Sequence, residues 1–106
     1  MNLLDIQKLP LLQTRTIAEV CKRDADTHNY IVDCIKRFYS GDYGTIPPED
    51  TEANNWDLQN GCGHILARYP SKYKLQGDIY IEAHFDEDLQ GNIDANNTLV
   101  MYRSER

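Results

Sequence analysis

Three groups of residues in this chain have types and spacings that could do chemistry. The first is Asp86-x-Asp88-x-Gln90-Gly91-x-Ile93-Asp94. It overlaps the calcium-loop pattern, with oxygen ligands at the first, third, fifth and ninth places, glycine at the sixth and isoleucine at the eighth. The twelfth place, where a bidentate glutamate belongs, is Asn97, and the flanks read as strands rather than helices. The stretch reads as a hairpin loop whose Asp, Asn and Gly tolerate turn geometry. The second group is Cys62-Gly63-His64, a thiol and an imidazole two residues apart. A structural zinc site takes four ligands, usually more widely spaced. The remaining candidates, Cys21, Cys34, His28 and His84, fall on segments expected to pack elsewhere. Cys21 and Cys34 read as small buried hydrophobes. The third group is the acids Asp42, Glu49 and Asp50, which could act as paired carboxylates but stand at helix ends, where acids are common.

No other arrangement points to catalysis. Three cysteines and three histidines occur without a local nucleophile signature. "SGDYG" (40–44) has neither the Walker nor the dinucleotide spacing. The expectation is a non-enzyme with no catalytic residues, no cofactor and no metal; a small hydrolase or metal-dependent enzyme is the competing reading.

Charge says more. The chain carries 17 acids against 11 bases, a net charge of -6. Residues 1–40 hold six bases and five acids, residues 41–70 one base and five acids, and residues 71–106 four bases and seven acids. The acidity therefore lies in the last two thirds. Such a surface repels nucleic acid and anionic membranes and attracts basic partners. It also serves solubility. An odd cysteine count and no secretory pattern at the start predict reduced thiols in the cytoplasm. No apolar run approaches the roughly 20 residues of a membrane span. Among the aromatics, Tyr43, Trp56 and Tyr73 are expected near the surface, where tyrosine and tryptophan favour protein contacts.

The elements that must position these residues can be read in order. The chain's 106 residues predict one domain, 1–106. Residues 1–9 read as a short helix or arm before Pro10, and "LLQTRT" (11–16) as a strand switching into a helix. Thr16 and Glu19 have capping-box spacing for a helix over 17–22 that buries Ile17, Val20 and Cys21. Asp24 or Asp26 caps the next helix. There Tyr30, Ile31, Cys34, Ile35, Phe38 and Tyr39 form one apolar stripe of period 3.6, ended by Ser40-Gly41. Ile46-Pro47 is held extended. Pro48 opens a helix to about Asn60, with Glu49, Asp50 and Glu52 in its first turn against the positive end of the dipole. Gly61 and Gly63 stop it. "HILARY" (64–69), "DIYIEAHF" (78–85) and "TLVMYR" (98–103) read as strands. The predicted fold is α+β: N-terminal helices packed on a C-terminal three-stranded antiparallel sheet.

Residues 14–81 resemble a family of small proteins borne by phages, plasmids and integrated elements, whose members often carry the label of a type I restriction enzyme subunit. "TRTIAEV" (14–20) is similar to its opening threonine-arginine-glycine stretch. "YIVDCIKRFYSGDYG" (30–44) resembles its helix ending in serine-glycine-aspartate-tryptophan-glycine. "PPEDTEANNWDLQNG" (47–61) resembles its "EDxxxND" helix, and "GHILARY" (63–69) and "DIYIEAHFD" (78–86) its two strands. The run from Ser40 to Asn54 is the specific part. The chain departs from the family after residue 86, where a longer acidic loop replaces a short aspartate-arginine-serine turn. The family supplies no catalytic residues. The resemblance implies a mobile-element context, in which small acidic phage proteins are often inhibitors of host defence, such as anti-CRISPR proteins.

Together these readings predict a non-enzymatic phage or mobile-element protein that binds and inhibits a host defence protein. Its acidic surface would mimic nucleic acid against a Lys/Arg-lined groove, with no direct contact to nucleic acid or membrane. The expected contact residues are Asp86, Glu87, Asp88 and Asp94, with Glu49, Asp50, Glu52, Tyr43 and Trp56. The alternative is an accessory subunit of a mobile-element complex whose acidity serves solubility alone.

Overall fold

A computed structural model of the chain describes residues 1–72, 77–86 and 96–106. Tyr73, Glu87, Asp88, Asp94 and most of the calcium-like loop lie outside the described residues.

Among the described residues, four helices and four strands follow in the order α1 (Leu3–Gln7), β1 (Leu11–Gln13), α2 (Arg15–Arg23), α3 (Ala25–Tyr39), α4 (Pro48–Asn60), β2 (Cys62–Tyr69), β3 (Ile79–Asp86) and β4 (Asn97–Tyr102). A 3₁₀ turn, Arg103–Glu105, follows β4. The architecture is α+β, as expected. α3 starts where the Asp24 carboxylate accepts the N–H groups of Asp26 and Thr27, and the Lys72 ammonium pairs with the same side chain. Of the stripe read from the sequence, Ile31, Cys34 and Phe38 are buried, Ile35 and Tyr39 pack half-buried against the core, and Tyr30 is exposed. Spacing i, i+3, i+7 selects the first three for the centre of the buried face.

Two expectations change. α2 is capped by Thr14 rather than Thr16: the Thr14 hydroxyl accepts the Ile17 N–H at 3.3 Å. Glu19, assigned to a capping box, instead pairs with Arg15 at 3.1 Å. The cap moves because the strand before it ends at Gln13, and the Thr14 N–H donates to Val100 at 3.1 Å as the chain leaves the sheet. One threonine thus closes a strand and opens a helix.

The second change is the sheet, which is four-stranded and mixed rather than three-stranded and antiparallel. Its order is β1-β4-β3-β2. β2, β3 and β4 form the expected antiparallel meander, and β1 adds to β4 in parallel, with Leu11, Leu12 and Gln13 opposite Thr98, Leu99 and Val100. Three residues carry too little alternation to announce a strand's pairing, and their partner lies across nearly the whole chain.

Strand alternation gives the sheet two different faces. Ile65, Ala67 and Tyr69 of β2, Ile79, Ile81, Ala83 and Phe85 of β3, and Val100 and Tyr102 of β4 join the core with Ile6, Ile17, Val20, Ile31, Cys34 and Phe38 of α1 to α3. The second face carries His64, Leu66 and Arg68 on β2, Tyr80, Glu82 and His84 on β3, and Leu99 and Met101 on β4. Arg106 returns to this face, with its guanidinium 5.6 Å from the Tyr80 ring centre and 2.8 Å from Glu82.

Candidate partner-binding surface

The stretch from Ser40 to Asp57 first has a structural job, and that job decides which of its side chains are left for binding. In an antiparallel ladder, alternate residues turn their backbone groups away from the neighbouring strand. On the outer edge of β2 those residues are His64, Leu66 and Arg68, and α4 and the 40–45 loop match both groups of Leu66 and Arg68 and the N–H of His64. The Leu66 N–H donates to Asn54 Oδ1 at 3.0 Å, and Asn54 Nδ2 donates to the Leu66 carbonyl at 2.9 Å. The His64 N–H donates to Asp57 Oδ2 at 3.1 Å. The Arg68 N–H donates to the Tyr43 carbonyl at 3.0 Å, and the Arg68 carbonyl accepts the Thr45 N–H at 2.8 Å. Asn54, only 3% exposed, imitates a backbone unit. It lets a helix close a sheet edge that would otherwise invite pairing.

The 40–45 loop is fixed with equal care. Arg37 Nε lies 2.7 Å from Asp42 Oδ2, Asp42 Oδ1 accepts the Gly44 N–H at 3.1 Å, and the Tyr69 hydroxyl donates to the Asp42 carbonyl at 2.7 Å. The Arg37 hydrogen bond, reinforced by the Gly44 N–H, holds the Asp42 carboxyl below the usual aspartate range. Gly44 has φ +73°, and a β-carbon there would sit 1.9 Å from the Arg68 carbonyl oxygen. Only glycine lets the loop lie this close to β2.

Tyr43, expected at the surface, is 6% exposed and meets Phe38 edge-to-face with ring centres 6.0 Å apart. Its carbonyl must reach Arg68, and that backbone placement swings the ring inward. Burial raises its phenol pKa. Tyr43 is therefore a core residue rather than the surface residue expected.

α4 exposes the face opposite its clamp. Glu49, Glu52 and Trp56 recur at i, i+3 and i+7 and share that outer face, with Asn54 on the inner one. Trp56 is 67% exposed, in contrast to the buried aromatics of the core. Asp50 turns the other way. With Asn54, Asp57, His64 and Arg106 it lines a cleft of about 270 Å³ between α4 and the second face of the sheet. Asp86 lies on β3 opposite Cys62, beyond the C-terminal end of α4, and its N–H donates to Asn96 Oδ1 at 2.6 Å. The described acids named from the sequence thus fall into separate places: Glu49 and Glu52 outward, Asp50 in the cleft, Asp86 at the far end of β3.

Many of the other acids hold the fold together. Asp5 closes a capping box with Asn2, Asp78 pairs with Arg68 at 2.7 Å, and Glu82 contacts both Arg106 and His84. Glu105 accepts from the Thr14 hydroxyl and the Tyr102 N–H, both at 2.9 Å. Glu49 and Glu52 carry no ion pair among the described residues. Sequence reasoning named them and Trp56 as contact residues, and the structure leaves all three exposed. It missed Asn54, whose only local signal is a polar residue on the inner side of a helix of mixed character.

A second candidate lies at the opposite edge of the sheet. Leu11 and Leu12 are 46% and 41% exposed and border an apolar groove of about 260 Å³ with Ile31, Ile35 and Val100.

The chain matches no family model, no curated protein and no solved structure. Among the described residues, no helix is long and apolar enough to cross a membrane.

Proposed function

We propose that this chain is a non-catalytic binding protein of a phage or other mobile element. It attaches to a host defence protein, such as a CRISPR nuclease, through the outer face of α4. The observation that carries this reading is Trp56, 67% exposed on a helix whose other face is hydrogen-bonded to a sheet edge. A large aromatic left in water on a rigid element is characteristic of binding hot spots. Its indole offers apolar area, an N–H donor and a π face that attracts guanidinium and ammonium groups.

Glu49 and Glu52, two turns and one turn before Trp56, add negative charge and carry no ion pair among the described residues. In the complex they stand in for phosphates against a lysine- and arginine-lined groove, and Trp56 anchors the contact. The net charge of -6 disfavours direct binding to nucleic acid and speeds encounter with a basic partner. The resemblance of residues 14–81 to mobile-element proteins supports a host defence protein as the target.

The test is affinity capture from bacteria that carry a CRISPR nuclease, across a salt series, with wild-type chain, Trp56→Ala and the Glu49→Gln/Glu52→Gln pair. The wild type should retain a basic protein that salt releases. Trp56→Ala should cut retention about tenfold or more while its melting temperature stays unchanged, and the charge pair should flatten the salt dependence. Equal retention by all three proteins, or retention indifferent to salt, would rule the surface out.

A further inference from the structure

The β2–β3 ladder brings together side chains that are far apart in sequence and that ligate metals. His64 faces His84 directly across the two strands, and the next rung on the same face pairs Cys62 with Asp86. By strand alternation all four belong to the second face of the sheet. The His64 N–H turns outward to Asp57, so His64 and His84 form a non-hydrogen-bonded pair, the kind in which side chains stand closer.

Both histidines are exposed. Their ring centres lie 5.7 Å apart with the planes tilted by 31°. Two imidazoles sharing one metal at bond lengths of ~2.0–2.1 Å have ring centres roughly 5 Å apart. A modest side-chain rotation therefore brings both onto one ion.

An independent observation points to the same ligand. Glu82 is 6% exposed, and its Oε1 lies 2.9 Å from His84 Nε2. Its Oε2 is held by Arg106 Nε at 2.8 Å. A carboxylate on one imidazole nitrogen fixes the ring's orientation and leaves the other nitrogen for a metal. Metal-binding histidines characteristically carry this outer support. Here the support is buried and itself anchored, whereas a histidine pair meant only to cover a sheet face needs neither.

We propose that His64 and His84 bind a divalent transition metal that favours imidazole, such as Zn²⁺ or Ni²⁺, with Glu82 as the positioning residue for His84. Among the described residues no three His, Cys, Asp or Glu side chains already converge as a ligand set. The site is thus a two-histidine one, with its other positions taken by water or by a ligand from outside the chain. The inference stands apart from the α4 surface: either can fail without the other.

The experiment is calorimetric titration of the full chain with ZnCl₂ and NiCl₂ at neutral pH, followed by NMR of the histidine rings. One equivalent should bind with micromolar affinity and shift both His64 and His84. Each of His64→Gln and His84→Gln should weaken binding about tenfold or more, and Glu82→Gln about tenfold. Because both histidines are exposed, their variants keep the fold, and a thermal melt checks this. Binding that persists in both histidine variants, or that is lost in Cys62→Ser alone, overturns the proposal.

Discussion

The two edges of the sheet are treated in opposite ways. At β2, the outward backbone groups of His64, Leu66 and Arg68 meet Asp57, Asn54, Tyr43 and Thr45 in succession. At β1, parallel pairing with β4 uses Pro10 and Thr14 as flanking partners, so alternation turns the N–H and C=O of Leu11 and Gln13 away from the sheet. No strand among the described residues pairs with that side. One edge is protected by a dedicated clamp and the other by brevity, since a three-residue strand offers little template for pairing. The contrast explains why Ser40 to Asp57 is rich in Gly, Asp and Asn. These residues form a loop and a helix that behave as a fifth strand would, and the helix keeps its other side free.

The contrast can be broken most severely at Gly44. Gly44→Ala should cost about 3–5 kcal/mol, among the largest single-site effects, because positive φ and a backbone oxygen 1.9 Å from the new β-carbon both oppose it. Chemical denaturation of the variant measures this. Next comes Asn54→Ala, which leaves a donor and an acceptor on Leu66 unmatched and should cost about 2–3 kcal/mol, a fall in melting temperature on the order of 10 °C. Asn54→Asp, which sets a second acceptor against the Leu66 carbonyl and buries a carboxylate at a site 3% exposed, should cost at least as much. At the open edge, Leu12→Lys should change stability by less than about 1 kcal/mol; a loss as large as that of Asn54→Ala would erase the difference between the edges.

The smallest effect concerns pH. Arg37 and the Gly44 N–H favour ionised Asp42 in the fold and so lower its pKa. The stability they add is complete above the unfolded pKa of about 3.9 and is lost as pH falls through the lower folded value. The Asp42 side chain is 49% exposed, so solvent screens most of the effect. Thermal melts from pH 5 down to about pH 3 should drop slightly less steeply in Asp42→Asn than in wild type.

Much of this was legible in the sequence, and the omissions share a cause. Pro48 and Gly61 mark the ends of α4 because each acts locally, one by its missing N–H and the other by its left-handed conformation at φ +74°. The stripe Ile31, Cys34 and Phe38 follows from helical period alone. What escaped depends on partners distant in the chain. Tyr43 looks like a surface tyrosine until Arg68, on another element, claims its carbonyl. Asn54 looks like an ordinary polar helix residue until Leu66 lies beside it. His84 is 20 residues from His64 in the chain, and only strand register sets the two opposite each other. Periodicity reveals which face of an element is apolar; it does not reveal which edge that element will seal.

α4 and the 40–45 loop are fastened to β2 by hydrogen bonds from their inner sides, leaving Glu49, Glu52 and Trp56 outside. Amide hydrogen exchange reads this directly. The Leu66 and Arg68 amides should exchange only with global unfolding, as core strands do, while the Leu11 and Gln13 amides exchange far faster. Leu66 exchanging as quickly as Gln13 would mean that the clamp does not hold and that α4 is no rigid platform for its tryptophan.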